Sequence, residues 1–404
     1  MSWFLIRLAL MIAALGAAQV LMMRYFNRPW WEVKWVRWLS LGWPVAAIVS
    51  VLLWKWTFPL LASAALLVGL VAAVITLPFA GLLNFADWLY PRLRLDWLRR
   101  GRRTATVSPA PIAEGIHEAP QSASRRSFLK YGAALAPALA VGGSISGVAR
   151  SFNQVRVFHK DLYFPDLPAE LDGFRILQLC DLHLGVFYNL SDLEELIDRL
   201  AAESYDLVAL IGDVADDLNA LPDALKMIAS LKSTYGHLAT LGNHEYYRGV
   251  QAVYFHFARS DINLLVNQGV NLNVGGRSVY VGGADDPATI SWREDRTVFF
   301  RHSLEKAMDD APTDSFKLLM THRPSAFKVA SVENIDLSLA GHTHGGQFGL
   351  MGHSLIDMLG DDLYVWGHFS QGESQLYTSS GVGHWFPFRL GCPAEAPIFT
   401  LRRA

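Results

Sequence analysis

Across 404 residues, 35 Lys+Arg face 37 Asp+Glu for a formal charge of −2, and 51% of positions are hydrophobic. Near-neutrality argues against nucleic acid as a partner, two cysteines give no disulfide framework, and the length exceeds one average domain. The apolar excess is concentrated in the first hundred residues, so the chain reads as a membrane part followed by a soluble part.

Residues 3–23 carry one charge, Arg7, and are long enough to cross a bilayer as a helix. Two further apolar runs, 39–54 and 58–84, are separated only by the Lys55-Trp56-Thr57 region. Three transmembrane helices are therefore expected within residues 1–90, the last two as a hairpin. Pro44, Pro59 and Pro78 do not exclude this, because neighbouring helices satisfy freed carbonyls. Trp30, Trp31, Trp35, Trp38, Trp88 and Tyr90 read as interfacial anchors. Arg24, Arg28, Lys34 and Arg37, and the cluster Arg92, Arg94, Arg99, Arg100, Arg102 and Arg103, should both be cytoplasmic, which puts the N-terminus outside. Residues 91–123 are then a cytoplasmic linker, first Arg-rich and from 105 rich in Pro, Ala and Ser.

Residues 124–130, Ser-Arg-Arg-Ser-Phe-Leu-Lys, open a mildly apolar Ala/Gly-rich segment that runs to about Ala149. This resembles the twin-arginine export signal of bacteria at an internal position. The resemblance implies a signal or anchor helix over 124–150, the twin-arginine export machinery as a partner, and a domain over 151–404 on the extracytoplasmic, periplasmic side of the bacterial inner (cytoplasmic) membrane.

From 151 onward, strand-like and helix-like stretches alternate. Phe174 to Cys180, Leu207 to Ile211, His237 to Leu241, Lys317 to Met320 and Leu337 to Ala340 read as buried strands. Amphipathic stretches lie at 191–203, opened by Ser191 with Glu194 three positions on, and at 220–232. Alternation of this kind predicts a layered α/β domain. Cys180 sits inside a strand pattern and reads as a buried, inert thiol.

Five short motifs follow those strands in order: Asp181-Leu182-His183, Gly212-Asp213-Val214-Ala215-Asp216, Gly242-Asn243-His244-Glu245, His322, and Gly341-His342-Thr343-His344. One Asp-x-His alone is commonplace. The ordered set supplies carboxylate oxygen and imidazole nitrogen at strand C-termini, where open α/β sheets place their sites, and such donors suit Mn, Fe or Zn. The glycines before the ligands suit close backbone approach and sharp turning.

With these blocks, residues from about 174 to 402 resemble the calcineurin-like metallophosphoesterase superfamily. The resemblance implies an αββα-type domain over 151–404 and two divalent metal ions. One ion would have the ligands Asp181, His183, Asp213 and His344, the other Asp213, Asn243, His322 and His342, with Asp213 bridging. It implies a metal-bridging hydroxide as nucleophile, His244 as proton handler with Asp216 holding its tautomer, and Glu245 in supporting hydrogen bonds. Of the other histidines, His384 stands in a glycine- and aromatic-rich stretch, 381–389, that suits a site loop ending in Arg389, a hydrophobic lid or plain packing; Trp385, Phe386 and Phe388, if exposed, could dip into lipid.

Two departures narrow the substrate. Protein Ser/Thr phosphatases of the superfamily have a phosphate-gripping Arg where this chain has Asp217, and Gly345-Gly346-Gln347 is similar to the bacterial membrane-associated phosphodiesterase branch. The expected function is a metal-dependent phosphodiesterase or pyrophosphatase acting on a small-molecule or lipid phosphoester of the envelope, with the bilayer as partner. Alternatives are a cytoplasm-facing hydrolase like those that cleave UDP-linked acyl-sugars, and a non-catalytic metal-binding membrane sensor or scaffold.

Overall fold

The computed structural model describes residues 146–404, except 186, 291–294, 358, 359, 361, 362, 385 and 386, together with scattered helical positions between 10 and 49. The expected three spans, the linker and the twin-arginine segment lie outside the described residues, apart from those positions and a final helical turn at 146–151. Among the described residues no helix is long and apolar enough to cross a membrane. The chain divides into two compact units, Met1–Ile145 and Ser146–Ala404.

In chain order the second unit runs β1 (Arg156–Phe164), β2 (Arg175–Cys180), α1 (Leu190–Leu200), β3 (Leu207–Ile211), α2 (Leu221–Ala229), β4 (His237–Thr240), α3 (Asn243–Arg248), α4 (Val250–Phe257) and β5 (Asn263–Leu264). It continues through β6 (Gln268–Val274), β7 (Arg277–Gly283), α5 (Arg296–Ala307), β8 (Phe316–Met320), α6 (Phe327–Ala330) and β9 (Leu337–Ala340). It ends with β10 (Gly349–Leu350), β11 (His353–Ser354), β12 (Gly367–Gln371), β13 (Ser374–Thr378) and β14 (Glu395–Arg403). Two six-stranded sheets result, in the orders β1-β14-β2-β3-β4-β5 and β12-β13-β9-β8-β7-β6, with β10 and β11 forming a small hairpin. The strands that precede the motifs run parallel: β2, β3 and β4 in one sheet, β8 and β9 in the other.

The central strands β2, β3, β4, β8 and β9 are buried on both faces, which is why they are nearly continuous apolar runs. Between the sheets lie Ile176, Cys180, Leu207, Ala209, Ile211, Val281, Leu318, Met320, Leu339 and Phe399. On the outer face of the first sheet, Leu177, Leu179 and Leu210 meet Leu193, Leu196, Leu200, Leu225 and Ile228 of α1 and α2. On the outer face of the second, Leu319 and Leu376 meet Phe300, Leu304 and Phe327 of α5 and α6. The result is the expected helix–sheet–sheet–helix layering, and each fully buried leucine or phenylalanine contributes roughly 1.5–3 kcal/mol. Gln178, buried between the sheets, donates from Nε2 to the Ala340 carbonyl at 2.8 Å, linking β2 to the end of β9.

One detail of the sequence reading is corrected. Helix α1 is capped by Asn189, not Ser191: the Asn189 side chain accepts from Ser191 N, and Asp192 reaches back to Asn189 N at 2.9 Å. Asn189 serves because its extended backbone leaves the carboxamide free to accept from the first turn.

Candidate metal centre

Every motif stands just past a strand C-terminus: Asp181 after β2, Asp213 after β3, Asn243 after β4, His322 after β8 and His342 after β9. Parallel strands carry these ends to one edge, where the two sheets bring residues 181 and 344 together. The turns are tight. A Cβ on Gly341 would lie 2.2 Å from Asp181 Oδ2, and one on Gly242 would lie 2.2 Å from Asp213 Oδ1. Asp181, His183, Asp213, His342 and His344 all adopt left-handed backbone, with φ between 48° and 70°. Such conformations cost free energy in non-glycine residues and persist where the surroundings over-determine them.

The ligand atoms form overlapping groups: Asp181, His183 and His344; His183, Asp213 and His244; Asp213, His322 and His342. His183 Nε2 lies 3.1 Å from His344 Nε2 and 3.5 Å from Asp213 Oδ2. His344 Nε2 is 3.6 Å from Asp181 Oδ1. On the other side, His322 Nε2 is 3.2 Å from both Asp213 Oδ2 and His342 Nδ1. One oxygen, Asp213 Oδ2, thus stands between an imidazole of each group, while Oδ1 accepts from His244 N at 2.9 Å. Asn243 is buried at the start of α3, and its Oδ1 has no hydrogen-bond partner.

The electrostatics call for a cation. Burial, with the neighbouring His322 and Arg323 charges, holds His342 well below the ordinary histidine value. Burial and the His183 charge do the same for His344. Both imidazoles are therefore neutral, the form that ligates metal. Asp213 stays ionised: burial disfavours its charge, but His322, His183 and His244 outweigh that and lower it. His322 shows the opposite balance, since burial opposes its charge but Asp213, Asp181 and Asp286 raise it to about 10. The carboxylates around His322 thus favour positive charge there, which a divalent ion would also supply. An orphaned buried carbonyl oxygen, imidazole nitrogens facing each other at 3.1 and 3.2 Å, and shared carboxylate fit a divalent metal centre.

The cavity over this cluster has a volume of about 370 Å³ and is lined by Asp213, Asn243, His244, His342, Thr343, His344, Gly346 and Gln347. All seven ligand candidates, with His244 and Asp216, lie in one region of the structure.

Comparison with known proteins bears on the same stretch. The family model for calcineurin-like phosphoesterases matches residues 174–346, which span every ligand from Asp181 to His344. Over that stretch the chain matches the calcineurin-like phosphoesterase family. By class the family hydrolyses phosphoric ester bonds. An uncharacterized metallophosphoesterase of Campylobacter jejuni is 33% identical over 247 residues, 60% of this chain and 62% of that protein. One of Bacillus subtilis is 27% identical over 294 residues, 69% of this chain and 98% of that protein. A Danio rerio protein named as a transmembrane protein with metallophosphoesterase domain is 25% identical over 269 residues, 65% of this chain and 60% of that protein. The chain thus spans less than two thirds of the length of the Campylobacter and Danio proteins.

Around the phosphoesterase ligands a supporting layer fixes the geometry. His244 Nδ1 lies 2.5 Å from Asp216 Oδ1. Asp216 Oδ2 is also 3.3 Å from His183 Nδ1, so one carboxylate orients a ligand and the proton handler together. His183 and His244 draw the Asp216 carboxyl far below its ordinary range in spite of its burial. Glu245 meets no ligand side chain: it accepts from Gly242 N at 2.7 Å, Val214 N at 2.8 Å and Asp213 N at 2.9 Å, which is the supporting role expected of it. The Ile211 carbonyl lies 3.3 Å from His322 Nδ1 and leaves Nε2 facing the cluster.

The sequence reading missed Arg323 and Arg248. Arg323 donates to His342 Nε2 at 2.7 Å and is itself held by Asp286, at 2.7 and 3.3 Å. It directly follows the ligand His322, which was its one signal in the sequence. Arg248 sits 3.0 Å from Asp216, and its side chain is 42% exposed.

The 381–389 stretch resolves to packing for its described residues. Gly383 N donates to Asp181 O at 2.8 Å and Val382 N to Cys180 O at 2.9 Å. Arg389 is buried, not presented to the cavity, and donates to the carbonyls of Ser380, Gly381, Gly383 and Pro393. His384 is buried between Phe152 and Phe187, and Phe388 is 1% exposed, so neither His384 acts at the site nor Phe388 faces lipid. Trp385 and Phe386 lie outside the described residues. Cys180 is buried, as expected.

Proposed function

We propose that this chain is a metal-dependent phosphodiesterase or pyrophosphatase with a dinuclear centre, one ion held by Asp181, His183, Asp213 and His344 and the other by Asp213, Asn243, His322 and His342. The observation that carries this reading is the position of Asp213 Oδ2, 3.5 Å from His183 Nε2 and 3.2 Å from His322 Nε2. A carboxylate so placed can be shared by two cations about 3.5–4 Å apart. Mn, Fe or Zn bound there would supply a hydroxide nucleophile near neutral pH and offset charge on the phosphate oxygens.

The chain's own residues do the rest. Asp216 accepts a hydrogen bond from His244 Nδ1, so Nε2 is the nitrogen through which a protonated His244 would hand a proton to the departing oxygen, and His244 lines the cavity. The Arg323 charge beside His342 adds to burial and the His322 charge in keeping that imidazole neutral. Arg248, paired with Asp216, adds positive charge near His244.

The apolar runs before residue 90 and the Ser-Arg-Arg-Ser-Phe-Leu-Lys segment support attachment to the bacterial inner membrane with this domain outside, and the Danio relative's name is consistent with a membrane-attached domain. Attachment favours a lipid or envelope phosphoester, because it raises the effective concentration of the site for substrates at the bilayer. The purified full chain should hydrolyse bis(p-nitrophenyl) phosphate with added Mn²⁺ and bind two ions. Inertness with metal bound, tried across Mn, Fe and Zn, refutes the catalytic reading. Alkaline phosphatase fused after residue 404 should be active, and Arg125→Lys with Arg126→Lys should silence it; a silent parent fusion places the domain in the cytoplasm.

A further inference from the structure

Between the cavity-lining Gln347 and Asp357 the chain makes an excursion that the metal centre does not use. From His344 to Ile356 there is no Lys, Arg, Asp or Glu. The β10–β11 hairpin in this stretch exposes Leu350 by 60% and Met351 by 92%, and Leu355 and Ile356 follow at 41% and 36%. The tip turns through two left-handed residues, Met351 (φ 52°) and Gly352 (φ 85°). Single exposed aliphatic residues are ordinary, but several gathered in one uncharged loop mark an interaction surface.

This surface is joined to the metal cavity on one side. Gly346 and Gln347 line the cavity, and Ile356 packs so closely on Gly346 that a Cβ there would lie 2.3 Å from Ile356 Cδ1. On the other side it is joined to the place where the chain enters the domain. Gly349 N donates to Leu390 O at 2.8 Å and Leu390 N to Gln347 O at 2.9 Å, while Arg389 N donates to Gly147 O at 2.9 Å. Phe388 packs against Phe348 with ring centroids 4.9 Å apart and the rings tilted by 46°, and a Cβ on Gly147 would lie 2.2 Å from the Phe388 ring. A continuous strip therefore runs from residue 147 through Phe388, Arg389 and Leu390 to the hairpin. Residue 147, near the start of this domain, therefore lies on the same edge of the domain that carries Leu350 and Met351.

We propose that the β10–β11 hairpin is a bilayer-docking element. Leu350, Met351, Leu355 and Ile356 enter the acyl boundary of the membrane and hold the metal cavity over a phosphoester at the lipid surface. This deepens the function proposed above and rests on its membrane attachment. The occupant is lipid because the patch is aliphatic, uncharged and on the edge of the domain where residue 147, next to the domain's start, lies. Interfacial elements of this kind bury apolar side chains about 5–10 Å into the boundary of headgroup and acyl chain.

The test labels single cysteines in the full chain with an environment-sensitive dye, Met351→Cys and Leu355→Cys, in phosphatidylethanolamine/phosphatidylglycerol vesicles. Cys180 and Cys392 are buried, which keeps the label at the new position. Lys232→Cys is the reference: it is exposed between α2 and β4, at the end of the sheet remote from the strand C-termini. A nitroxide carried on the lipid should quench the labels at 351 and 355 several-fold more than the label at 232, and aqueous iodide should do the reverse. Equal iodide quenching at all three positions, with the protein still co-sedimenting with vesicles, overturns the docking role and leaves the attachment standing. Shielding of 351 and 355 from both quenchers assigns the face to a protein contact and also overturns it. Failure to co-sediment overturns attachment and docking together. No arm reads hydrolysis, so a failure of the catalytic reading is scored separately.

Discussion

Glu245 offers the sharpest test of how the motif loops are held. Its buried carboxylate accepts three backbone N–H groups, from Gly242 and Asp213 on Oε2 and from Val214 on Oε1. Glu245→Gln keeps one acceptor oxygen, which can serve both Gly242 and Asp213, but its NH₂ then faces the Val214 donor. Leaving a buried donor unpaired costs roughly 1–3 kcal/mol. A domain of about this size loses about 2–4 °C of Tm per kcal/mol, so Tm should fall by about 2–12 °C. Tryptophan fluorescence melts of the full chain in detergent, without added metal, measure the fold alone. Because Asp213 is one of the residues held, bound metal should fall as well. A Tm shift below about 2 °C refutes the reasoning, since it would mean that water replaces these bonds without loss.

Other outcomes follow from the same geometry. Asp216→Asn should lower hydrolysis about 10–100-fold, because the carboxylate orients both His244 and His183; an unchanged rate removes that role. Chelation should lower Tm, since an ion present at a hundred times its Kd contributes about 2.7 kcal/mol to the folded state, and calorimetry with and without chelator measures it. Burial, helped by Arg389 and His183, depresses His384 from 6.5 to about 3. The unfolded chain therefore takes up a proton that the folded chain refuses. The stability due to neutral His384 is present above pH 6.5 and is lost as pH falls from there toward about 3. His384→Leu should flatten this acid limb in denaturant midpoints taken at neutral and acid pH, and a limb of unchanged slope assigns the loss to other groups.

What the sequence disclosed depended on how much of each feature is local. The ligands were legible because metal chemistry restricts residue type and strand ends restrict position, so Asp181, Asp213 and His342 could be picked out from a few neighbours each. Strands β2, β3, β4, β8 and β9 were legible because burial on both faces writes them as apolar runs. Strand β1 was not: it pairs in parallel with β14, Arg156 opposite Glu395, and its pattern of exposed and half-buried residues is that of an edge strand. Arg389 was misplaced for a related reason. An arginine near a site suggests a phosphate grip, and only the fold reveals four carbonyls converging on it. Arg323 gave no periodic signal because its partners, Asp286 and His342, come from two other loops.

The left-handed residues tie the site to the fold. Non-glycine residues in this region cost of order 1–3 kcal/mol each, so Asp181, His183, Asp213, His342 and His344 together carry roughly 5 kcal/mol or more of strain. Bonds within the protein hold several of these turns: His183 N donates to Asp213 O at 2.9 Å and Asp181 N to Gly212 O at 3.1 Å. His342 N donates to the Asp181 carboxylate at 3.0 Å. The loops β2, β3 and β9 feed are therefore locked to one another across the two sheets. The strain is sustained by the packed layers beneath and by these bonds between the loops. Glycine cannot substitute at these turns to relieve the strain: the side chain that makes the backbone costly is the one that binds.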